Sequence, residues 1–472
     1  MKDSDAGTSA DNPLSMDWSS VAVVLLLLAL AGTTATLISP FEEPAAAVAC
    51  PNCSVVLISL DALRADHLGA YGYNRNTSPA IDRVAADSFI FDNAIVQSTY
   101  TLPSHFSIFT SLYPFQHRNR GFSENVTMLA EALNAEGYHT FSVNGGGNVR
   151  GGLGFSAGFE EYNATEELTD DQFRKAFNHI NTSIRRGEKF FLFYHTYYIH
   201  DPYIAPPAYA SRFDVYNATF QQQAEDRWNT IYANLTDANV TGQKLTNTLY
   251  AQFREYYFDK LASDPKLVAH ATAEYDGSIR RTDRFLQRLF RLLKQRNVYN
   301  NTVIILTADH GEEFGDHGGW LHRDVHREIR RVPLIIHVPN TDGRRIDQRV
   351  ESIDLVPTIA EIVGVPRSRF AQTFSGTVLT PLMAGSDIQK GFTITQRNRK
   401  VAFINLSTDL AYYHNPTEDV EAVYNLSAGE ENRLINGSLV NQLAAQYQRV
   451  RSNISGRTSQ LEEKLTNLGY FQ

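Results

Sequence analysis

Four polar clusters in this sequence contain side chains that can hold a cation or attack an ester. Asp61 follows the apolar run 55–60, and Asp309 with His310 follows a second apolar run, 302–307. The two remaining clusters are Thr101-Leu102-Pro103-Ser104-His105 and Tyr194-His195-Thr196-Tyr197-Tyr198-Ile199-His200-Asp201. Carboxylates and imidazoles are common ligands of divalent cations, and a hydroxyl beside such a cation can become a nucleophile. The clusters therefore point to metal-assisted ester chemistry.

Thr101 is the predicted nucleophile. Pro103 suits the first turn of a helix, and residues 106–112 look helical, which would leave Thr101 just before the helix N-terminus. There the helix dipole and the free N–H groups favour an alkoxide or a bound phosphate or sulfate. A metal on the Thr101 hydroxyl would lower its pKa. A threonine that only caps the helix is the alternative reading of the same position.

Several histidines near these clusters have predicted roles. His200 is a candidate for binding the oxyanion of a substrate or for protonating the leaving group. His195 is expected to be a packed residue at a strand end. His317 and His322 follow Asp309-His310 closely enough to reach the anion or a second metal.

The elements that must position these residues alternate between strands and helices. Runs that are apolar throughout predict strands covered on both faces, and helical patterns lie between them. We therefore predict an α/β fold with a mostly parallel sheet between helices, in which strand ends bring distant clusters together. The predicted strands are 55–60, 190–194, 302–307 and 334–338, and the predicted helices are 78–88, 128–136 and 279–295.

The chain also has predicted boundaries outside the main domain. An apolar run from Val21 to Ile38 is just long enough to cross a bilayer, although a cleaved signal peptide is the alternative. The segments are a polar tail (1–17), a transmembrane anchor (18–39), a linker (40–53), a catalytic domain (54–368) with a helical insertion (205–265), and a smaller α+β subdomain (369–472).

Composition and sequons bear on location and partners. The net charge of −9 and the pI of about 5.9 argue against nucleic-acid binding. Asn-X-Ser/Thr sequons recur along the chain, and all of them follow the apolar run, which favours a single-pass protein of the cell membrane with its catalytic domain outside. Cys50 and Cys53 allow a short disulfide loop, or they are two incidental thiols.

The ordered motifs resemble those of the sulfatase family of the alkaline phosphatase superfamily. The resemblance covers almost everything from residue 54 onward and implies an alkaline phosphatase-like fold and a sulfuric or phosphoric ester hydrolase. The matching segments are Asp61 to Tyr73, Ser78 to Asp82, Phe89 to Ala94, Thr101 to Pro114, Asp276 to Asp283, Asp309 to Glu312, Arg331 to Ile336, Ile353 to Ile359 and Ala422 to Ser427.

Four positions depart from the sulfatase pattern. Thr101 and His105 stand where sulfatases have a Cys or Ser that becomes formylglycine, followed by an Arg. Because the β-carbon of threonine carries a methyl group, no formylglycine is expected here. Ala62 replaces the second Asp of a common pair, and His322 replaces the usual Lys. A threonine nucleophile with a following Asp-His is similar to phosphodiesterases, phosphonate hydrolases and phosphoethanolamine transferases of the same superfamily.

Three hypotheses for function follow. The first is a hydrolase of sulfate or phosphate esters on a small molecule, glycan or lipid head group. In it, Asp61, Thr101, Asp309 and His310 hold one divalent cation (Ca, Mg, Mn or Zn), while Thr101, His200 and His322, with Arg64 and His105 as secondary candidates, act on the substrate. The second is a phosphotransferase similar to phosphoethanolamine transferases. The third is a surface glycoprotein that has lost catalysis.

Overall fold

A nine-stranded sheet forms the centre of the protein. The computed structural model describes residues 48–117, 125–164, 170–213, 215–428, 432–434 and 436–467, which belong to one compact unit beginning at Val48. The strand order is β10-β2-β9-β6-β1-β5-β3-β4, with β11 also paired to β2. The strands of this sheet and of the two smaller sheets are β1 (Ser54–Leu60), β2 (Phe89–Ile95), β3 (His139–Asn144), β4 (Glu161–Ala164), β5 (Phe190–Thr196), β6 (Thr302–Thr307), β7 (Glu313–Phe314), β8 (Trp320–Leu321), β9 (Arg331–His337), β10 (Arg345–Ile346), β11 (Val350–Glu351), β12 (Phe392–Arg397), β13 (Lys400–Asn405), β14 (Leu410–Asn415), β15 (Val420–Asn425) and β16 (Arg433–Leu434).

The central strands are parallel and buried on both faces. All residues of β1, β5 and β6 are buried, which explains why these strands are apolar or small on both sides of the pleat. Strand β1 pairs in parallel with both β5 and β6, whereas β9 runs antiparallel to β6 and β2. The predicted α/β fold with a large, mostly parallel sheet is confirmed.

Helices cover the sheet and extend from it. The α-helices are α1 (Pro79–Ala85), α2 (Thr101–Thr110), α3 (Pro114–His117), α4 (Leu129–Ala135), α5 (Asp170–Arg186), α6 (Pro207–Ala210), α7 (Ala218–Asp237), α8 (Gly242–Ser263), α9 (Pro265–Gln295), α10 (Arg327–Arg330), α11 (Leu355–Val363), α12 (Thr380–Met383) and α13 (Gly437–Asn467). Helix α9 begins fourteen residues before the predicted start, because Asp264 caps it by accepting from the Lys266 N–H and Pro265 is its first residue. Its apolar stripe, including Leu286 and Leu293, is buried in the core.

Two further parts of the chain border the site. Helices α7 and α8, between residues 205 and 265, pack against each other and join the main core through Phe253 and Tyr257. Strands β12 to β16 form an antiparallel sheet that, with α13, makes a second core around Phe403. Tyr113 of the larger part belongs to this second core, so the two parts share an apolar contact.

The predicted transmembrane anchor, 18–39, lies outside the described residues. Within the ranges that the structure describes, no helix is both long enough and apolar enough to cross a membrane. The first described residues carry the Cys50–Cys53 pair as a disulfide.

Candidate active site

The carboxyl ends of three adjacent parallel strands carry the first part of the site. Ser59 of β1 lies opposite His195 of β5 and Thr307 of β6. The residues that follow therefore leave the sheet at the same edge, which brings Asp61 and Asp309 together although they are far apart in sequence. This edge is where ligands bind in open parallel sheets, as the sequence predicted.

Asp61, Asp309 and His310 form a buried group that can hold a metal ion. One ligand atom from each lies within 4.8 Å of the others, and none of the three residues is exposed. His310 Nε2 is 3.9 Å from Asp61 Oδ1 and 3.4 Å from Asp309 Oδ2. Those two carboxylate oxygens have no hydrogen-bond partner among the described residues. Buried, unpaired carboxylate oxygens that face an imidazole nitrogen fit a divalent cation.

Hydrogen bonds fix the orientation of these ligands. The His310 Nδ1–H donates to the Gly311 carbonyl at 3.0 Å, which assigns the lone pair to Nε2, on the side of the carboxylates. Burial lowers the pKa of His310 to about 3, so the ring is neutral, as metal binding requires. Asp309 Oδ1 accepts from the N–H groups of Ala62 and His310, which turns Oδ2 toward Asp61. Burial, followed by the charge of Asp309, raises the pKa of Asp61 well above its usual value.

The Thr101 hydroxyl lies against this group. Its Oγ1 is 3.2 Å from Asp61 Oδ2 and 3.4 Å from His310 Nε2, and the residue is 1% exposed. Thr101 is the first residue of α2 rather than the residue before it, so the prediction was one position off. Ser104 of the same turn donates to the Asp309 carbonyl at 2.6 Å, which ties the helix start to the metal loop.

His105 supports Thr101 from inside the core. Its Nδ1 donates to the Thr101 carbonyl at 2.9 Å, and its Nε2 shares a hydrogen bond with the Ser59 hydroxyl at 3.0 Å. Burial lowers the pKa of His105 to about 4. The neighbouring His195 is fully buried, with its Nε2 3.5 Å from Asp61 Oδ2 and its ring against that of His105. Of the two histidines, His105 contacts Thr101 and can position it, whereas His195 lies against Asp61.

His200 faces the site and is held by an ion pair from the insertion. Its Nδ1–H donates to the Asp201 carbonyl at 2.8 Å, while its Nε2 lies 4.0 Å from Asp61 Oδ1. Arg254 of α8 binds both Asp201 carboxylate oxygens, at 2.6 and 2.7 Å. Burial opposes protonation of His200, but the charges of Asp201 and Asp61 outweigh it and raise the pKa of the ring. Arg254 lies on a polar helix, and no motif in the sequence points to it.

His322 stacks on His310. The His322 and His310 rings are 4.1 Å apart between centroids, and the His200 ring is 5.0 Å from that of His322. Glu312 is fully buried, and its Oε1 is 3.5 Å from His322 Nδ1. Burial, with the charges of Asp201 and Asp61, raises the pKa of Glu312 well above its usual value. Glu312 follows Asp309-His310-Gly311 directly, so its position in this motif could have identified it as a residue of the site.

Arginines occupy two different positions relative to this group. Arg64 pairs with Asp66 and Asp316, both at 2.9 Å, and donates to the Glu312 carbonyl, so its described contacts do not reach Thr101. Arg397, at the end of β12, lies over the Tyr100 ring at 4.5 Å. The Arg397 charge contributes to the lowered pKa values of His310 and His322, which places it near the site.

The fold and the site together define a class of enzyme. A mostly parallel sheet brings two carboxylates, an imidazole and a helix-terminal hydroxyl to one edge, with further histidines above them. This is the arrangement of a hydrolase of the alkaline phosphatase superfamily, in which a hydroxyl or its derivative attacks an ester beside a metal.

Comparisons with known proteins give the family. A family model described as Sulfatase matches residues 54–365, so the chain belongs to the sulfatase family and is an ester-bond hydrolase. An arylsulfatase of Clostridium perfringens is 25% identical over 387 residues, covering 67% of this chain and 76% of the relative.

Two solved structures share the fold. One, a complex with its substrate D-glucosamine-2-N,6-O-disulfate, has a TM-score of 0.65 at 17% identity, over 87% of this chain and 98% of that one. The phosphonate monoester hydrolase of Silicibacter pomeroyi has a TM-score of 0.64 at 18% identity, over 85% and 95% of the two chains. The sulfatase-like fold, with its large central sheet and its C-terminal antiparallel sheet, is thereby confirmed.

Proposed function

We propose that this protein hydrolyses sulfate or phosphorus esters through a covalent intermediate on Thr101. The observation that carries the proposal is the position of the Thr101 hydroxyl. It lies at the first residue of α2, within 3.2 Å of Asp61 and 3.4 Å of His310. A hydroxyl at this position lies at the positive end of the helix dipole and next to the buried ligand set.

The ligand set proposed for one divalent cation is Asp61, Thr101, Asp309 and His310. When bound, such a cation would lower the pKa of the hydroxyl and balance the negative charge of the ester oxygens. The unpaired oxygens of Asp61 and Asp309 support this assignment, because two buried carboxylates without a counter-charge are costly.

The reaction we propose has two displacements. The Thr101 hydroxyl passes its proton to Asp61 Oδ2, to which it donates, and its oxygen attacks sulfur or phosphorus in line while the bond to the leaving alkoxide breaks. A protonated histidine gives this alkoxide its proton. Water then attacks the threonine ester and gives one proton back to the histidine, the threonine oxygen takes its proton back from Asp61, and sulfate or the phosphorus acid is released. His200 suits the proton donor, because Asp201 and Asp61 keep its pKa raised. His322 lies 5.0 Å from it, between centroids, and would bind the non-bridging oxygens.

Phosphorus esters are the substrates that we favour. The methyl group on the Thr101 β-carbon rules out the formylglycine aldehyde, so the enzyme would use an unmodified hydroxyl. An unmodified hydroxyl readily accepts a phosphoryl group, and the resulting phosphoester is readily hydrolysed. The relatives include both an arylsulfatase and a phosphonate monoester hydrolase, so the family alone does not select between the two chemistries.

We also propose that the enzyme is anchored by residues 18–39 and faces outward. The support is the apolar run itself and the sequons, all of which follow it. Membrane fractionation of the expressed chain, followed by glycosidase treatment, tests this. Recovery of an unglycosylated chain outside the membrane fraction would contradict it.

A turnover assay tests the catalytic proposal. The full chain, loaded separately with Ca²⁺, Mg²⁺, Mn²⁺ and Zn²⁺, would be given an aryl sulfate, a phosphate monoester, a phosphodiester and a phosphonate monoester. Thr101→Ala should lower kcat by more than about 10³-fold, because no other hydroxyl takes its place. Thr110→Ala, at the other end of the same buried helix, is the matched control and should keep activity. Retained turnover in Thr101→Ala would refute the mechanism.

A further inference from the structure

A second group of metal-ligating side chains lies on the hairpin that follows His310 and on the segment just before α10. Strands β7 and β8 form this hairpin. Glu313 on β7, His317 in the turn, and His326 just before α10 each present one ligand atom, and these three atoms lie within 4.8 Å of one another. None of these residues belongs to the group at Asp61 and Asp309.

The contacts within this second group are close. His326 Nδ1 is 2.7 Å from Glu313 Oε1, and the His317 and His326 rings are 4.1 Å apart between centroids. Glu328 Oε2 lies 2.9 Å from His317 Nε2, so a second carboxylate borders the group. Two imidazoles and two carboxylates thus occupy one small region.

The hairpin backbone is built to bring His317 back over Glu313. Gly315 and Gly318 have φ values of +85° and +75°, which other residues adopt only with strain. A β-carbon on Gly319 would lie 3.0 Å from Glu313 Oε2, so a larger residue there would push the Glu313 carboxylate by a few tenths of an ångström. Glycines on both sides of His317 therefore keep the turn tight enough to hold this group.

The group is open to an ion from solvent. Glu313 is 2% exposed, whereas the His317 side chain is 36% exposed. All three residues border a cavity of about 1000 Å³ that is also lined by His414 and Lys400. An anchored carboxylate at the base and an accessible imidazole at the rim allow an ion to enter without unfolding the hairpin.

We propose that Glu313, His317 and His326 form a second metal site, selective for Zn²⁺ and similar transition ions. Two imidazoles with a carboxylate are a zinc ligand set, whereas Ca²⁺ and Mg²⁺ prefer oxygen ligands alone. The ion would join the β7–β8 hairpin to the segment that begins α10. Since the hairpin leads directly to His322, the site would hold that part of the catalytic centre in place.

A third group, His139, Glu161 and His179, makes a weaker case. The Glu161 side chain is 55% exposed, whereas Glu313 is 2% exposed, so the third group has no anchored carboxylate. For this reason the test counts the loss of one ion in a variant rather than the total number bound.

Zinc binding by the full chain tests the proposal without any activity measurement. The chelator-stripped protein would be titrated with ZnCl₂ by calorimetry and compared with His317→Gln and His326→Gln. Each variant should lose one zinc equivalent or bind it more than about 100-fold more weakly, since losing a direct ligand costs more than losing a partner of one. His414→Gln, in the same cavity, is the matched control and should bind as the wild type does.

Hydrogen exchange tests the link to the hairpin. Zinc should slow amide exchange in residues 313–321 of the wild type and leave it unchanged in His317→Gln, in which the Asp61 group is intact. If His326→Gln does not fold, the half-exposed His317→Gln still decides the question. Equal zinc binding in the wild type and in His317→Gln, or equal hairpin exchange, would overturn the proposal.

Discussion

Arg254 gives the sharpest test of how the insertion supports His200, the histidine that we propose as the proton donor. Its guanidinium holds both oxygens of Asp201, and the Asp201 carbonyl accepts from His200. Asp201 is 4% exposed and the Arg254 side chain 29%. Breaking a buried ion pair costs about 3–5 kcal/mol, and access of water to Arg254 lowers the expected cost of Arg254→Met to about 2–3 kcal/mol.

The expected change can be stated in measurable terms. A unit of about 420 residues unfolds with an entropy near 0.9 kcal/mol per kelvin, so the melting temperature should fall by about 2–3 °C. A general acid accelerates a reaction by about 10²–10⁴-fold, and loss of the fixed orientation of His200 should remove only a part of this effect. We therefore expect kcat to fall about 10-fold. Differential scanning calorimetry and initial rates on the preferred ester would measure both quantities.

Controls separate this pair from ordinary surface charges. Arg288→Met breaks a pair with Asp170 that is exposed on both sides, and it should leave the melting temperature unchanged. The Asp201→Asn and Arg254→Met double-mutant cycle should give a coupling of at least about 1 kcal/mol. Wild-type stability and wild-type kcat in Arg254→Met would refute the reasoning.

Three further predictions concern buried groups. Burial raises the pKa of Glu274 from its usual 4.5 to about 8, so the folded state keeps a proton that the unfolded state releases. The free energy of unfolding therefore falls as pH rises between these two values. The melting temperature of Glu274→Gln should therefore exceed that of the wild type by a margin that grows as pH rises through this range. A margin that does not change with pH would contradict the raised pKa of Glu274. His105→Phe keeps the ring but loses the hydrogen bonds to Thr101 and Ser59; we expect a loss of about 1–3 kcal/mol in thermal unfolding together with a lower kcat, and wild-type values of both would remove its positioning role. Asp309→Asn should weaken metal binding at the catalytic group more than about 100-fold by calorimetry, and unchanged affinity would exclude Asp309 as a ligand.

The sequence predicted the elements that carry the proposed nucleophile and the proposed metal ligands. Strands β1 and β6 are apolar on both faces and end directly before Asp61 and Asp309, so burial and parallel pairing together imply that these residues meet. The direction of β9 could not be predicted in this way, because an apolar run reads the same in a parallel and an antiparallel neighbour.

The supporting residues were harder to predict, because each comes from a distant element. Arg254 lies on a helix without a catalytic motif, and Arg397 lies at the end of a strand in the C-terminal sheet. Their proximity to the site depends on how these parts pack against the main sheet. Glu312 was within the motif, but only its burial beside His322 distinguishes it from a solvated acid.

The most direct test of the central claim is to trap the covalent intermediate. The full chain would be mixed with its best ester, quenched in acid within one turnover, digested, and analysed by mass spectrometry. The mechanism predicts a peptide that carries one phosphoryl, phosphonyl or sulfuryl group on Thr101, and no such peptide from Thr101→Ala. Turnover without any adduct on Thr101, or with the adduct on another residue, would contradict Thr101 as the nucleophile.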